Sequence, residues 1–488
     1  MVIGLRTKGT LAALIAALLL APGIGTTIRA QQKLQVIPPE AAQTTTMRKA
    51  VDTEIDALAP RLFEMTDFCY KNPEPGYEEF KASAMFVDEL KKQGFVVETG
   101  VPGLPENFDR LKLIGGMNPK FAEPKGMPTA FKAKYKGKSD KPVIGIAVEY
   151  DALRGSPSFH GCQHDMQGPT GIGAAVALAK VMEKNNIPGS VWVIGTPAEE
   201  IGPPAKAAQA KAGYYDGVDF MLRSHGTSNE TIRYPGGFAS RHIRQTKYTF
   251  HGKSAHAQGA WEGVSAFDAA LLFFHAAEMY REHSEPQFRF HGIMPEAGEA
   301  PNVVPAQASV LYWVRHLMDE TPLSPKAPAK AAEMINAKVA QLDAAAKGAA
   351  MATGTTVDID HYGEYNPGIG VGAMQDIMFQ YAIDYGGINP GERKVAAQWE
   401  ETGFGTMIVP GVQVHIGLAD TPDLTGHSQE AADQSVSPAG HKSLVLTSKV
   451  MAATALRLVT DQTLRDKVKA EHASWLAKYK GAPAADQQ

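Results

Sequence analysis

Cysteine is almost missing from this chain. Cys69 and Cys162 are the only two in 488 residues, which excludes a disulfide-stapled scaffold and a cysteine-rich metal module. An excess of one charge is missing too: 48 Lys and Arg stand against 52 Asp and Glu, a formal net charge of -4, with no long basic run. Nucleic acid and anionic lipid surfaces are therefore not expected partners. There is no G-x-S-x-G elbow, which argues against a serine hydrolase. The glycines of "GPTGIGAA" (168–175) are not followed by the Lys-Ser/Thr pair of a phosphate loop. No repeat at solenoid periods is found.

What the chain does have is 44% hydrophobic content, enough for two domains with separate cores. Arg6 and Lys8 precede the apolar run "LAALIAALLLA" (11–21), too short and too near the start for a membrane span. Residues 1–30 read as a secretory signal with cleavage after Ala30, the alternative being an uncleaved anchor. The mature protein is then expected in the periplasm or secreted, without further membrane attachment.

Helices are expected near 47–71, 78–93, from about Gly168, and near 203–213. Between them run apolar strands: "VIGIAVEYDAL", "SVWVIGT" and "VDFMLRSHG". Alternation of this kind predicts an α/β domain with a mostly parallel sheet flanked by helices, and polar residues at the carboxyl ends of strands line its crevice. That places Asp151, Glu199, Glu200 and His225 along one edge. From about 240 the order becomes βαββαβ, the pattern of a ferredoxin-like module inserted into the first domain. The Ala/Lys-rich stretch near 326–347 reads as a long exposed helix of that module rather than a linker. The expected organisation is catalytic domain over 31–239 and 363–488, and inserted domain over 240–362.

"HGCQHDMQGPTGIG" (160–173) raises the question of chemistry. A lone histidine is more often structural than functional, but clustering shifts that expectation. Cys162 and His164 are two apart on a loop and can converge on one ion. Glu199 and Glu200 are adjacent at a strand end, where one can bind metal while the other holds water. The alternative for that pair is helix-end electrostatics. His427 is one more candidate ligand. Export would allow Cys69 and Cys162 to pair, but a cysteine beside histidines is the better ligand, and Cys69 reads as a small buried hydrophobe. Gly171 and Gly173 are expected to let a helix backbone approach the sheet.

"EYDALRG", "HGCQHD", "GTPAEEIG", "RSHG", "FHGKSAHA", "EAPNVVPAQASVLYWVR" and "GHSQEAADQSVSPAGHK", in this order over residues 149–442, resemble the aminoacylase and carboxypeptidase-like metallo-amidohydrolases. Within them the chain is most similar to the D-type subfamily with hippurate, indoleacetyl-amino-acid and aminobenzoyl-glutamate hydrolases. The resemblance implies a dinuclear site held by Cys162, His164, Glu200, His225 and His427, with Glu199 as general base toward a metal-activated water. It implies that His256, in the inserted lid, polarises the scissile carbonyl, that Asn302 anchors substrate, and that Asp151 orients a ligand. Zinc suits the thiolate, with manganese, cobalt or nickel also possible at a mixed site. The implied reaction is hydrolysis of an N-acyl or N-aroyl amino acid or a dipeptide by a homodimer joined through the lid; the alternative is an exported metal-containing protein that binds such molecules without catalysis. Three departures stand out: Gln163 where many relatives have glycine, Gln167 where many have histidine, and "WEETGFGTMIVP" (399–410) in place of an Asp-containing segment.

Overall fold

The computed structural model describes residues 37–101, 127–201, 205–226, 228–239, 241–317, 328–418 and 420–479. The expected signal segment lies outside them. Helices α1 (Ala42–Lys71) and α2 (Phe80–Lys92) lead into strands β1 (Val96–Thr99), β2 (Phe131–Ser139) and β3 (Val143–Val148). Helix α3 (His164–Lys184), β4 (Gly189–Gly195), α4 (Ala205–Lys211) and β5 (Phe220–Ser224) follow. Two short strands, β6 (Thr231–Arg233) and β7 (Gly237–Phe238), precede the inserted module.

The module consists of β8 (Arg241–His251), α5 (Ala266–Glu282), β9 (Phe288–Glu296), β10 (Gln307–Leu317), α6 (Pro328–Thr353) and β11 (Thr356–Tyr365). The chain then returns through β12 (Ile369–Gly370), α7 (Gly372–Asp384), β13 (Pro390–Glu392) and β14 (Gly411–Val414) to α8 (Gln429–Ser435), α9 (Pro438–Thr460) and α10 (Gln462–Tyr479).

The larger sheet has the order β1-β2-β4-β3-β5-β14. β3, β4, β5 and β14 run parallel, while β1 and β2 add an antiparallel edge. β3 reads VIGIAV and is buried along its whole length, as a strand covered on both faces must be. Helix α3 lies over this sheet. A Cβ on Gly171 would sit 2.4 Å from Val148 Cγ1, so the glycine lets helix and strand touch, as expected. Gly173 instead faces Leu62 of α1 at 2.6 Å and Ser448 of α9 at 3.3 Å, a helix-to-helix approach rather than helix-to-sheet. α9 is long and apolar enough to cross a membrane, yet 78% of its most apolar window is buried inside the fold, which makes it a core helix. Ser437 caps it by accepting the Gly440 N–H at 3.0 Å, with Pro438 in the first turn.

The inserted module is the ferredoxin-like βαββαβ unit that the pattern predicts, with sheet order β11-β8-β10-β9 and every pairing antiparallel. α5 and α6 close one face around a core that includes Tyr248, Phe250, Phe273, Tyr312 and Ile335. Helix α6 differs from the expected exposed helix: Ala331, Ile335, Val339, Leu342, Ala346 and Ala349 form a buried stripe, so only its opposite face meets solvent.

Candidate active site

The candidate residues gather where the parallel strands end. β3 is followed by Glu149 and Asp151, β4 by the loop carrying Glu199 and Glu200, and β5 by His225. Helix α3 starts at His164, four residues ahead of the Gly168 expected from sequence, because Gln163 takes a left-handed conformation (φ 62°, ψ 29°) that turns the chain directly into the helix. His164 is therefore a first-turn helical residue held rigidly beneath the loop.

Three overlapping groups bring ligand-type atoms within 4.8 Å of one another: Cys162 with His164 and His225; Cys162 with Glu200 and His427; and His164 with Glu199 and Glu200. Cys162 Sγ lies 3.3 Å from His225 Nε2. Glu199 Oε2 is 3.9 Å from His164 Nε2, and Glu200 Oε2 is 3.6 Å from His427 Nε2. Both cysteines are free, and Cys69 is buried, so no disulfide competes for the Cys162 sulfur.

The supports are local. Asp151 makes two contacts: Oδ1 meets His164 Nδ1 at 3.0 Å and Oδ2 accepts the Glu200 backbone N–H at 2.8 Å. It therefore fixes the ring of one candidate ligand and the backbone of another. The Glu199 loop is shaped by Ala198, which has a positive φ of 54° and donates its N–H to Glu79 Oε1 at 2.7 Å. His427 also has positive φ (64°) and donates its N–H to the Gly161 carbonyl at 2.9 Å, docking the returning chain onto the Cys162 loop. One residue on, Ser428 caps α8 through the Ala431 N–H at 3.1 Å.

Electrostatics suit a cation at the centre. Burial opposes charge on His164, yet the Cys162 sulfur and Asp151 raise its pKa well above the usual imidazole value. Its buried Nε2 faces Glu149 Oε2 at 3.5 Å and Glu199 Oε2 at 3.9 Å and makes no hydrogen bond of ordinary geometry. Burial, with Arg223 and His164 nearby, keeps His225 far below the usual range, hence neutral with a lone pair to offer. Burial pushes the Cys162 thiol up to about 11. Burial, followed by Glu401 and Glu149, raises Glu199 well above the ordinary carboxylate. Thiol, imidazole and carboxylate groups facing one another fit a divalent transition metal, whose binding would displace the thiol proton.

These geometries frame the similarities to known proteins. Residues 237–346 match the peptidase dimerisation domain of the M20 family. The chain is similar to the Xaa-Arg dipeptidase of Mus musculus, 26% identical over 463 residues that cover 88% of this chain and 93% of the mouse protein. It is likewise similar to one of the polypeptides of the p-aminobenzoyl-glutamate hydrolase of Escherichia coli (strain K12), 25% identical over 496 residues covering 86% of this chain and 94% of that protein. Its fold is shared with the aminobenzoyl-glutamate utilization protein of Klebsiella pneumoniae, with a TM-score of 0.57 at 19% identity, covering 83% of this chain and 98% of the other. The same holds for a Bacillus subtilis protein described as a dinuclear metal-binding peptidase from the M20 family, with a TM-score of 0.52 at 19% identity over 83% and 99% of the two chains. Over most of its length the chain is similar to M20 metallo-amidohydrolases, and residues 237–346 match their dimerisation domain. The resemblance read from the sequence motifs is borne out, and so is the expectation of a metal-dependent hydrolase acting on amide bonds.

His256 and Asn302 stand apart from the cluster, in the M20 dimerisation module. Their segments zip together: the Ala257 N–H donates to the Asn302 carbonyl at 2.9 Å, and the Val304 N–H donates to Ala255 at 2.8 Å. His256 Nδ1 accepts the Gln258 N–H at 3.1 Å. Among the described residues, neither His256 nor Asn302 is joined to the metal-type cluster by a hydrogen bond or ion pair.

The two glutamine departures have partners. Gln163 Nε2 donates to the Ala431 carbonyl at 2.7 Å and so ties the Cys162 loop to α8. Gln167 Nε2 donates to the Ser224 carbonyl, steadying the residue before His225. Sequence reasoning missed a buried charge cluster beneath the site. Glu149 contacts Lys206 and lies 3.0 Å from Arg223 Nη2 and 3.5 Å from His164 Nε2, while Glu401 contacts both Lys206 and Arg223. The one signal for it was the Glu149/Asp151 spacing, which puts two carboxylates on one side of an extended segment. Glu401 comes from the divergent "WEET" segment.

Proposed function

We propose that this chain is an exported two-metal amidohydrolase that cleaves the amide bond of N-acyl or N-aroyl amino acids or of dipeptides, working as a homodimer joined through the lid. The observation that carries the reading is the convergence of thiol, imidazole and carboxylate groups from four separated segments onto one strand-end crevice, with Glu199 inside it. In this reading Cys162, His164, Glu200, His225 and His427 hold two divalent ions, and the thiolate favours zinc. The bound ions would supply Lewis-acid chemistry, acidifying a water and polarising the substrate carbonyl. Glu199 takes the proton from that water and delivers it to the departing amine. Asp151 keeps the His164 ring oriented. His256 donates to the oxygen that gains charge during attack, and Asn302 anchors the substrate. The catalytic part is assigned to 31–239 and 363–488 and the lid to 240–362.

Support for the substrate class comes from the relatives, named for dipeptides and for aminobenzoyl-glutamate. Support for the homodimer comes from the matched dimerisation domain and from exposed apolar side chains on the lid, among them Leu272 and Met279 on α5 and Ile293 on the edge strand β9. Export rests on Arg6, Lys8 and the apolar run at 11–21.

The test is Glu199→Gln in the metal-loaded protein, assayed for amine release on a panel of N-acyl amino acids and dipeptides. The substitution keeps size and removes basicity. The expected loss is on the order of 10²-fold or more in turnover, with metal content unchanged. Parental turnover in the variant would remove Glu199 from the mechanism. Binding of acyl amino acids by both proteins without any cleavage would establish a binding protein instead.

A further inference from the structure

The cleft that opens beside Glu199 and His225 encloses about 450 Å³. Its charges can be paired off one by one. At the floor, Arg223 and Glu401 belong to the buried cluster with Lys206 and Glu149, two cations against two anions. Glu400 is buried and committed, since the Thr402 hydroxyl donates to Oε2 at 2.5 Å and the Thr406 N–H donates to Oε1 at 3.2 Å. Tyr234 and His415 form an aromatic shelf, ring centroids 5.0 Å apart. Burial, with Arg223 and Arg393 nearby, holds His415 down to about 4, so it adds no charge near neutral pH.

The outer wall is different. Arg241, Arg393 and Lys394 all line it. Arg393 shares its charge with Glu230 at the rim. Arg241 and Lys394 are exposed and form no ion pair with any described residue. Arg241 also faces a like charge, since burial and then Arg241 lower the pKa of Arg315. Once Glu199 is set aside as the reacting base, the wall keeps two unneutralised cations, and no free anion among its described residues opposes them.

We propose that the portion of the substrate lying in this cleft carries a carboxylate side chain, so that the enzyme favours acidic acyl amino acids or dipeptides of the aspartate and glutamate class over basic ones. This rests on the amidohydrolase reading above, because the cleft is a substrate subsite only if Glu199 sits at the reacting centre. It also separates the two kinds of relative, one named for an arginine dipeptide and the other for aminobenzoyl-glutamate.

The experiment uses the metal-loaded full chain and three matched probes, N-acetyl-L-glutamate, N-acetyl-L-glutamine and N-acetyl-L-arginine. Both kcat/KM and calorimetric binding are measured. The expected order is glutamate, glutamine, arginine, with roughly tenfold between the ends, the scale of two partly exposed charge contacts. Arg241→Gln with Lys394→Gln should narrow the glutamate-to-arginine ratio to within about twofold, mainly through KM, and the charge-conserving pair Arg241→Lys with Lys394→Arg should restore it. Raising the salt should shrink the parental ratio, because charges on an open wall are screened. A preference for the arginine probe, or a ratio unmoved in the double variant, overturns the assignment. If nothing is hydrolysed, the amidohydrolase reading fails by itself, while the binding order still decides the charge of the cleft.

Discussion

Replacing Lys206 by methionine isolates the buried cluster beneath the site. The ammonium sits at 1% exposure between Glu149 and Glu401, and both carboxylates also contact Arg223. Methionine fills most of the volume but leaves two carboxylates facing one guanidinium. Orphaning a charge in a buried pair costs about 3–5 kcal/mol. The loss has a ceiling, because the surplus carboxylate can take up a proton. Against a reference pKa of about 4.3, holding a glutamate neutral at pH 7 costs about 2.7 units at about 1.4 kcal/mol each, or about 3.7 kcal/mol. The expected destabilisation at pH 7 is therefore about 3–4 kcal/mol. Its pH dependence has a definite sign. In the parent, burial works against Glu149, but Arg223 and Lys206 win and keep its pKa well below the carboxylate range. Parental stability from this group is thus present above about pH 4.3 and lost as the pH falls further. In the variant the surplus carboxylate has a raised folded pKa, so the penalty is full at pH 7 and shrinks on acidification by about 1.4 kcal/mol per unit until the unfolded pKa is reached. Denaturant titration at pH 7 and pH 5.5, followed by tryptophan emission, to which Trp399 contributes, measures both quantities. That indole is fully buried next to Glu400 and donates to the Val409 carbonyl at 3.1 Å. A loss below about 1 kcal/mol at pH 7, or an equal loss at both pH values, would refute the account of the cluster as a set of mutually dependent buried charges.

Cys162→Ala should lower the metal content of the purified protein from two ions to one or none, by elemental analysis, whereas Cys69→Ala, in the core at 1% exposure, should leave it unchanged; full turnover after exhaustive chelation contradicts the metal assignment altogether. Gly171→Ala should destabilise by about 1–2 kcal/mol, since a Cβ 2.4 Å from Val148 Cγ1 outweighs the helix-propensity gain of about 1 kcal/mol. Gly348→Ala in α6, where nothing lies within 4 Å, should instead stabilise by about 0.5–1 kcal/mol in thermal or chemical unfolding. Leu272→Asp with Ile293→Asp should convert a dimer to a monomer in sedimentation experiments; an unchanged dimer would move the interface off both of these lid surfaces.

The sequence alone determined the alternation of apolar strands and helices, the βαββαβ insertion and the residues with ligand chemistry, because each of these is written in local periodicity or in tight clustering such as Cys162 and His164. It also located the crevice, since polar residues following apolar strands fall at the same sheet edge. It did not determine which charged residues are buried. Lys206, Arg223, Glu149 and Glu401 are ordinary surface types by composition, and each is driven inward only by partners from other segments. No stretch of local sequence contains both members of such a pair. The same holds for Glu79, which stabilises the Ala198 turn from 119 residues away, and for Gln163, whose amide finds the Ala431 carbonyl 268 residues on. Helix α3 begins at His164 because the left-handed Gln163 is held in place by the chain around it, which a propensity argument centred on Gly168 cannot weigh. The charge of the cleft wall, too, emerges only when Arg241 of the lid and Lys394 of the returning chain are brought to one surface. Local pattern chooses the elements; long-range pairing of charge and hydrogen bonds, strengthened by exclusion of water, decides how the elements make a site.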